Sequence, residues 1–154
     1  MSKPAANETV CTNRKAGFRF EILEKIECGI ALLGSEVKSL RDRNASIDEA
    51  YLRIDGQELW LIGAHIAPYA FANTQNHEPL RKRKLLVHKH EIRKLRPKVE
   101  QKGLTLVPMR IFFNTRGLAK VTIALARGKT LGDKRQTMKT REHKREIDRA
   151  MRRR

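Results

Sequence analysis

The chain has 154 residues, with 34 Lys or Arg against 17 Asp or Glu, a formal charge of +17 and a pI near 10.6. One domain with tails fits that length, and a body so charged repels itself unless a polyanion neutralises it, which points to a nucleic-acid partner. The longest nearly apolar stretch, 59–72, is interrupted by His65 and Pro68 and falls short of the ~18–20 residues a membrane span requires.

The opening MSKPAANETVCTNRK holds no apolar export signal. Cys11 and Cys28 make neither a CxxC nor a zinc spacing, which fits a reducing, cytoplasmic setting. In chain order, residues 1–13 are small and polar and are expected to be flexible. From 18 to 33, the run FRFEILEKIECGIALL keeps apolar side chains near every second position with one slip of phase between Ile22 and Leu23. That predicts a long strand with a bulge, or two strands in a hairpin. In GSEVKSLRDRN, Gly34 turns the chain, Ser35 is the expected cap, and Val37, Leu40 and Arg41 have helical spacing. Residues 51–54 and 58–66 read as a hairpin on Asp55-Gly56, which supplies the positive φ of a tight turn.

Residues 68–79 form a predicted loop. Leu85, Val87 or His88, Ile92 and Leu95 then recur every three to four positions, so 80–102 is expected to be a basic helical segment bent or broken at Pro97. Strands at 104–113 and 118–126 join through Asn114-Thr115-Arg116-Gly117. The predicted fold class is mainly β: a small antiparallel OB-like β-barrel with two or three short helices and a basic C-terminal tail. From Asp133 only Ile147 and Met151 stand one turn apart, although Glu142/Arg145, Glu146/Arg149 and Asp148/Arg152 have helix-supporting spacing. The tail is therefore expected to be disordered when free and to become helical against phosphate. Gly128-Lys129-Thr130 has the closing letters of a phosphate loop, but Ile123 stands where the earlier Gly belongs, so no such loop is expected.

Arg81, Lys82, Arg83 and Lys84 form a candidate phosphate-binding run. His88 and His90 with Glu91 could suggest a metal pair, but two apart on a helix the histidines should point away from each other, so no metal site is expected; nor is a cofactor expected. Glu36 and Lys38 read as helix-surface charges, and Tyr51, Trp60 and Phe112 as core residues at strand spacing. With one Trp, two Tyr and five Phe, an aromatic stacking platform is not expected. Cys11 reads as a surface thiol and Cys28 as a small buried residue.

Seven stretches, NRKA at Asn13, GSEVKSL at Gly34, HIAPY at His65, NHEPLRKRKLLVH at Asn76, KGLTLVP at Lys102, ARGK at Ala126 and DKR at Asp133, together resemble the SsrA-binding protein (small protein B) family of bacteria. The resemblance runs from Asn13 to the C-terminus. It implies an RNA-binding protein, not an enzyme, whose OB-like barrel grips the tRNA-like part of transfer-messenger RNA. It further implies delivery of that RNA to stalled ribosomes, with the tail entering the vacant decoding site and mRNA channel of the small subunit. Carried over by residue, it assigns RNA contacts to Glu27, Leu86 and Lys120 and tail functions to Lys129, Asp133, Lys134 and Arg135. Two positions depart from the family's usual pattern: Thr130 replaces a second Lys, and Gly132 replaces a His or Tyr able to stack on a base. The resulting division is a flexible N-terminus at 1–13, an RNA-binding barrel at 14–127 and a basic tail at 128–154. Composition alone leaves open a structural ribosomal protein, and a nuclease would have to draw on His77, His88, His90 and Asp48 or Glu91.

Overall fold

A computed structural model describes residues 7–72 and 76–153, with the backbone alone at 101 and 102. The chain begins with β1 (Glu8–Thr12), α1 (Ala16–Arg19), β2 (Phe20–Ile30) and α2 (Gly34–Arg41). It continues through β3 (Ala45–Ser46), β4 (Tyr51–Asp55), β5 (Glu58–Ile62), β6 (His65–Ile66) and β7 (Arg83–Leu86). Then come α3 (Lys89–Lys102), β8 (Thr105–Phe113), β9 (Ala119–Gly128) and α4 (Leu131–Arg152).

Seven strands make one sheet in the order β1-β8-β9-β2-β7-β5-β4, and β3 pairs with β6 in a second, two-stranded sheet. All the pairings are antiparallel. The mainly β, antiparallel OB-like architecture with short helices is as expected; among the described residues no hydrogen-bonded ladder joins β1 to β4, so the sheet stays open at that seam. Its inner face carries the core: Cys28, Ile30, Leu59, Leu61, Leu85, Ile111, Phe113, Val121 and Ile123 are all buried there. From α2 and α3, Leu40 and Leu95 close that core.

β2 has the expected bulge, a register shift against β9 between Ile22 and Glu24. The two hairpins also form, with Gly56 at φ 63° and Gly117 at φ 77°, values that favour glycine. Four expectations need correction. The N-terminal stretch called flexible contains β1, which pairs with β8; residues 1–6 lie outside the described residues. The predicted helical segment 80–102 is β7 followed by α3, because β7 fills the slot between β2 and β5 and gains a ladder on both edges. Pro97 lies inside α3, which runs on to Gly103 in the left-handed conformation at φ 64°.

The tail is the fourth correction: α4 is one continuous helix of 22 residues with none buried. Thr130 caps it, its Oγ1 accepting from Asp133 N–H at 3.2 Å while Asp133 Oδ2 accepts from Thr130 N–H at 3.3 Å. Gly132 is therefore in the first helical turn. None of the three ion pairs expected along the tail closes to 4.0 Å among the described residues, so the reciprocal cap, rather than side-chain charge pairing, fixes the helix start. Lys129 ties that start to α1: its Nζ donates to Gly17 O at 2.8 Å and to Thr137 Oγ1 at 2.9 Å, and its N–H donates to Arg19 O at 2.9 Å.

Candidate nucleic-acid interface

Directly opposed residues in an antiparallel ladder share a face, and successive residues alternate between faces. Gly29 on β2 is opposed by Leu86 on β7 and by Lys120 on β9. Lys120 is opposed in turn by Phe112 on β8, and Phe112 by Thr9 on β1. The next row on the same face runs Thr12, Arg110, Thr122, Glu27. Glu27, Leu86 and Lys120, 93 positions apart at the extremes, thus meet on the outer face of the sheet.

The surroundings suit a binding surface. Leu86 is 56% exposed and lies over Gly29, where an added Cβ would come within 3.2 Å of the Leu86 Cβ. Gly29 is thus the flat spot on which Leu86 rests. A cleft of about 490 Å³ opens beside it, lined by Lys84, Leu86, His88, Lys89 and Ile92. Glu27 is exposed and Lys120 half-buried. Among the described residues neither makes a salt bridge.

The basic run divides by strand alternation. Arg83 points inward and is fully buried: Nε donates to Glu36 Oε1 at 2.9 Å, Nη1 to Ala64 O at 2.8 Å and Nη2 to Pro79 O at 3.2 Å. It is a structural residue, which corrects its expected place among the phosphate contacts. Arg81 joins the same carboxylate through Nε at 3.0 Å and Nη2 at 2.8 Å. Lys84 pairs with Glu58 at 2.9 Å. Lys82 is exposed and, among the described residues, the member of the run without an ion pair.

Glu36, read from sequence as a surface charge, is fully buried. Burial pushes its pKa up, but hydrogen bonds from Arg81 and from the Leu33 N–H, with the charge of Arg83, outweigh burial and hold it below the usual carboxylate value. For Arg83 burial dominates and lowers the pKa against the pull of Glu36, whereas hydrogen bonding to Glu36 raises that of Arg81. Glu36 thereby starts α2, accepting from Leu33 N–H at 2.8 Å, and anchors β7. The shared appearance of a Glu and an Arg cluster in two separate motifs was the available signal, but sequence gives no partner for either.

Other expectations move as well. His77 is buried, its Nδ1 2.9 Å from Ser35 Oγ and its Nε2 2.9 Å from Ile66 O, so Ser35 serves this link rather than a helix cap. His88 precedes α3, and its ring stacks on that of His90 with centroids 5.4 Å apart rather than pointing away. His77 is therefore held by Ser35 and Ile66, apart from the stacked pair of His88 and His90. Tyr51 is 53% exposed, and Trp60 lies half-buried on the outer face between Arg53 and Lys84. Cys11 is half-buried rather than at the surface. At the tail, Lys129 is held against α1 as described, Asp133 serves the cap, Lys134 is half-buried, and Arg135 is exposed.

The comparisons with known proteins agree with this architecture. The family described as SmpB protein matches residues 10–153. The SsrA-binding protein of Rhodopirellula baltica is 53% identical over 144 residues, 94% of this chain and 82% of the relative. That of Thermosynechococcus vestitus is 54% identical over 143 residues, 92% of this chain and 93% of the relative. That of Chelativorans sp. is 47% identical over 154 residues, 100% of this chain and 99% of the relative. A chain of the solved structure "tmRNA-SmpB: a journey to the center of the bacterial ribosome" superposes with a TM-score of 0.66 at 52% identity, covering 82% of this chain and 87% of that one. A match over nearly the whole length, in sequence and in fold, makes this chain a member of the SmpB protein family.

Proposed function

We infer that this chain is an RNA-binding adaptor of trans-translation rather than an enzyme, acting in the cytoplasm without a cofactor. It binds the tRNA-like part of transfer-messenger RNA and delivers it to stalled ribosomes, where α4 enters the vacant decoding site and mRNA channel of the small subunit. The observation that carries this reading is the convergence of Glu27, Leu86 and Lys120 on one open sheet face, by strand register alone. Their chemistry is complementary to folded RNA. Lys120 neutralises a phosphate, Leu86 packs against an unstacked base, and Glu27 accepts from a base N–H or a ribose 2′-hydroxyl. The ordinary names and descriptions of the relatives point the same way.

Lys134 and Arg135 supply charge for the ribosomal channel, with Asp133 setting the start of the helix that carries them. The test is a salt titration of binding to the tRNA-like part of transfer-messenger RNA. Lys120→Ala is expected to lower the slope of log affinity against log salt by about one ion, and Glu27→Ala to weaken binding with the slope nearly unchanged. Equal slopes for both variants and the parent remove Lys120 from the phosphate role. No preference for this RNA over an unrelated RNA of equal length overturns the reading itself.

A further inference from the structure

We propose that Arg110, stacked on Phe112, is a further RNA contact that holds one backbone phosphate at the β8 edge of the outer face. The proposal rests on the reading above and extends its contact set by a residue that the family resemblance did not assign. Phe112 is the starting observation. It is 1% exposed, yet it belongs to the outer face with Lys120 and to neither hydrophobic cluster. What lies over it is the Arg110 guanidinium, with Cζ 4.5 Å from the ring centroid.

The same guanidinium is fixed sideways by two hydroxyls: Nε donates to Thr122 Oγ1 at 3.3 Å and Nη1 to Thr9 Oγ1 at 3.5 Å. These acceptors orient the group without neutralising it, and among the described residues no carboxylate lies within 4.0 Å of it. Of the five N–H donors of an arginine, those on Nη2 and the second on Nη1 have no partner among the described residues, in the fork geometry that matches two phosphate oxygens. Aromatic stacking removes the rotamer freedom that such a contact would otherwise have to overcome. Arg110 is one strand from Lys120, and strands stand about 4.8 Å apart, so β8 to β7 spans about 14 Å of the face. A bound strand can therefore meet Arg110, Lys120 and Leu86 together.

The competing role is a lid that only shields Phe112. Full-length parent, Arg110→Met, Arg110→Lys and Lys120→Ala are titrated with the tRNA-like RNA over a salt series, alongside thermal unfolding. Arg110→Met keeps a long side chain over the ring and is expected to bind roughly tenfold more weakly, with the salt slope lower by roughly 0.7–0.9. Arg110→Lys keeps the slope and loses several-fold in affinity, because it lacks the fork. Parent-like affinity and slope for Arg110→Met, or a weakening that only follows lost thermal stability with the slope intact, overturns the proposal while the Lys120→Ala loss keeps the adaptor reading standing. If Arg110→Met does not fold, Arg110→Lys decides: parent-like affinity overturns the fork. A parent without preference for this RNA overturns both.

Discussion

Glu36 and Arg83 show how a charge can be misread by its sequence neighbourhood: Glu36 reads as a helix-surface charge and Arg83 as a phosphate contact, yet both are buried against each other. Breaking a buried pair by removing one partner costs ~3–5 kcal/mol because the other charge stays buried. Glu36→Gln is expected to lower stability by that order in chemical unfolding. The pH dependence has a definite sign. Because the folded-state pKa of Glu36 lies below the ordinary 4.5, its contribution is present above 4.5 and is lost as pH falls through the folded value. Acid titration of the parent should therefore show a loss of stability below 4.5 that Glu36→Gln lacks; parallel curves would remove Glu36 from that role. The thiols give a second residue-scale test. Burial pushes Cys11 up to about 11 and Cys28 up to about 12, so both are protonated at neutral pH and should alkylate far more slowly than the protein's unfolded form. Gly29→Val separates stability from binding at the site: a β-branched residue suits a strand, but its side chain would displace Leu86 from its resting place. Unchanged or higher stability with weaker RNA binding is expected, and unchanged binding would remove Leu86 from the contact set.

At the scale of elements, legibility followed the source of the signal. β2, the two hairpins and β8 and β9 were readable because alternation and turn residues are local properties. β7 was not, because Leu85, Ile92 and Leu95 fit a helical period across a boundary that only pairing with β2 and β5 creates. β1 was hidden for the same reason: five mostly polar residues become a strand by completing the edge of β8. The convergence of Glu27, Leu86 and Lys120 depends on long-range register, so the positions could be assigned by resemblance, but their common face could not. In α4 neither the cap of Thr130 and Asp133 nor the tether to α1 through Lys129 was read from the sequence, where Thr130 stood as a departure from a second Lys. With no residue of α4 buried, the helix has little to offset the ~1–2 kcal/mol per residue of backbone entropy. Amide hydrogen exchange is expected to be fast along α4 and slow in β2 and β9, and Thr130→Ala should weaken the helix by ~1 kcal/mol. Protection in α4 equal to that of the central strands would show that the helix has a stabilising contact besides its cap and tether.

Across the whole molecule, the charge of +17 is divided between a laddered sheet and an exposed helix, and on the proposed function the two would meet different polyanions. Specific affinity needs groups held at fixed spacing, which the ladders of the outer face provide; a helix with no buried residue can add phosphate contacts but little fixed geometry. On that argument, a chain ending at Gly128 should keep its preference for the tRNA-like RNA and lose only the salt-dependent affinity of the phosphate contacts removed. On the proposed function the ribosomal channel poses the opposite problem: against a wall of RNA phosphate, a continuous positive helix would gain at each turn, starting with Lys134 and Arg135 just past the cap. Coupled ordering would then stabilise α4 on the ribosome beyond what its cap supplies in solution. Lys134→Ala/Arg135→Ala leaves Thr130 and Asp133 in place, so the helix start survives while its first charges are gone. Parent-like binding of the free RNA with a loss of peptide tagging on stalled ribosomes is the expected pair of outcomes. Normal tagging by the double variant would remove these two charges from the ribosomal step, and a loss of free-RNA binding would show that the tail belongs to the same site as the sheet.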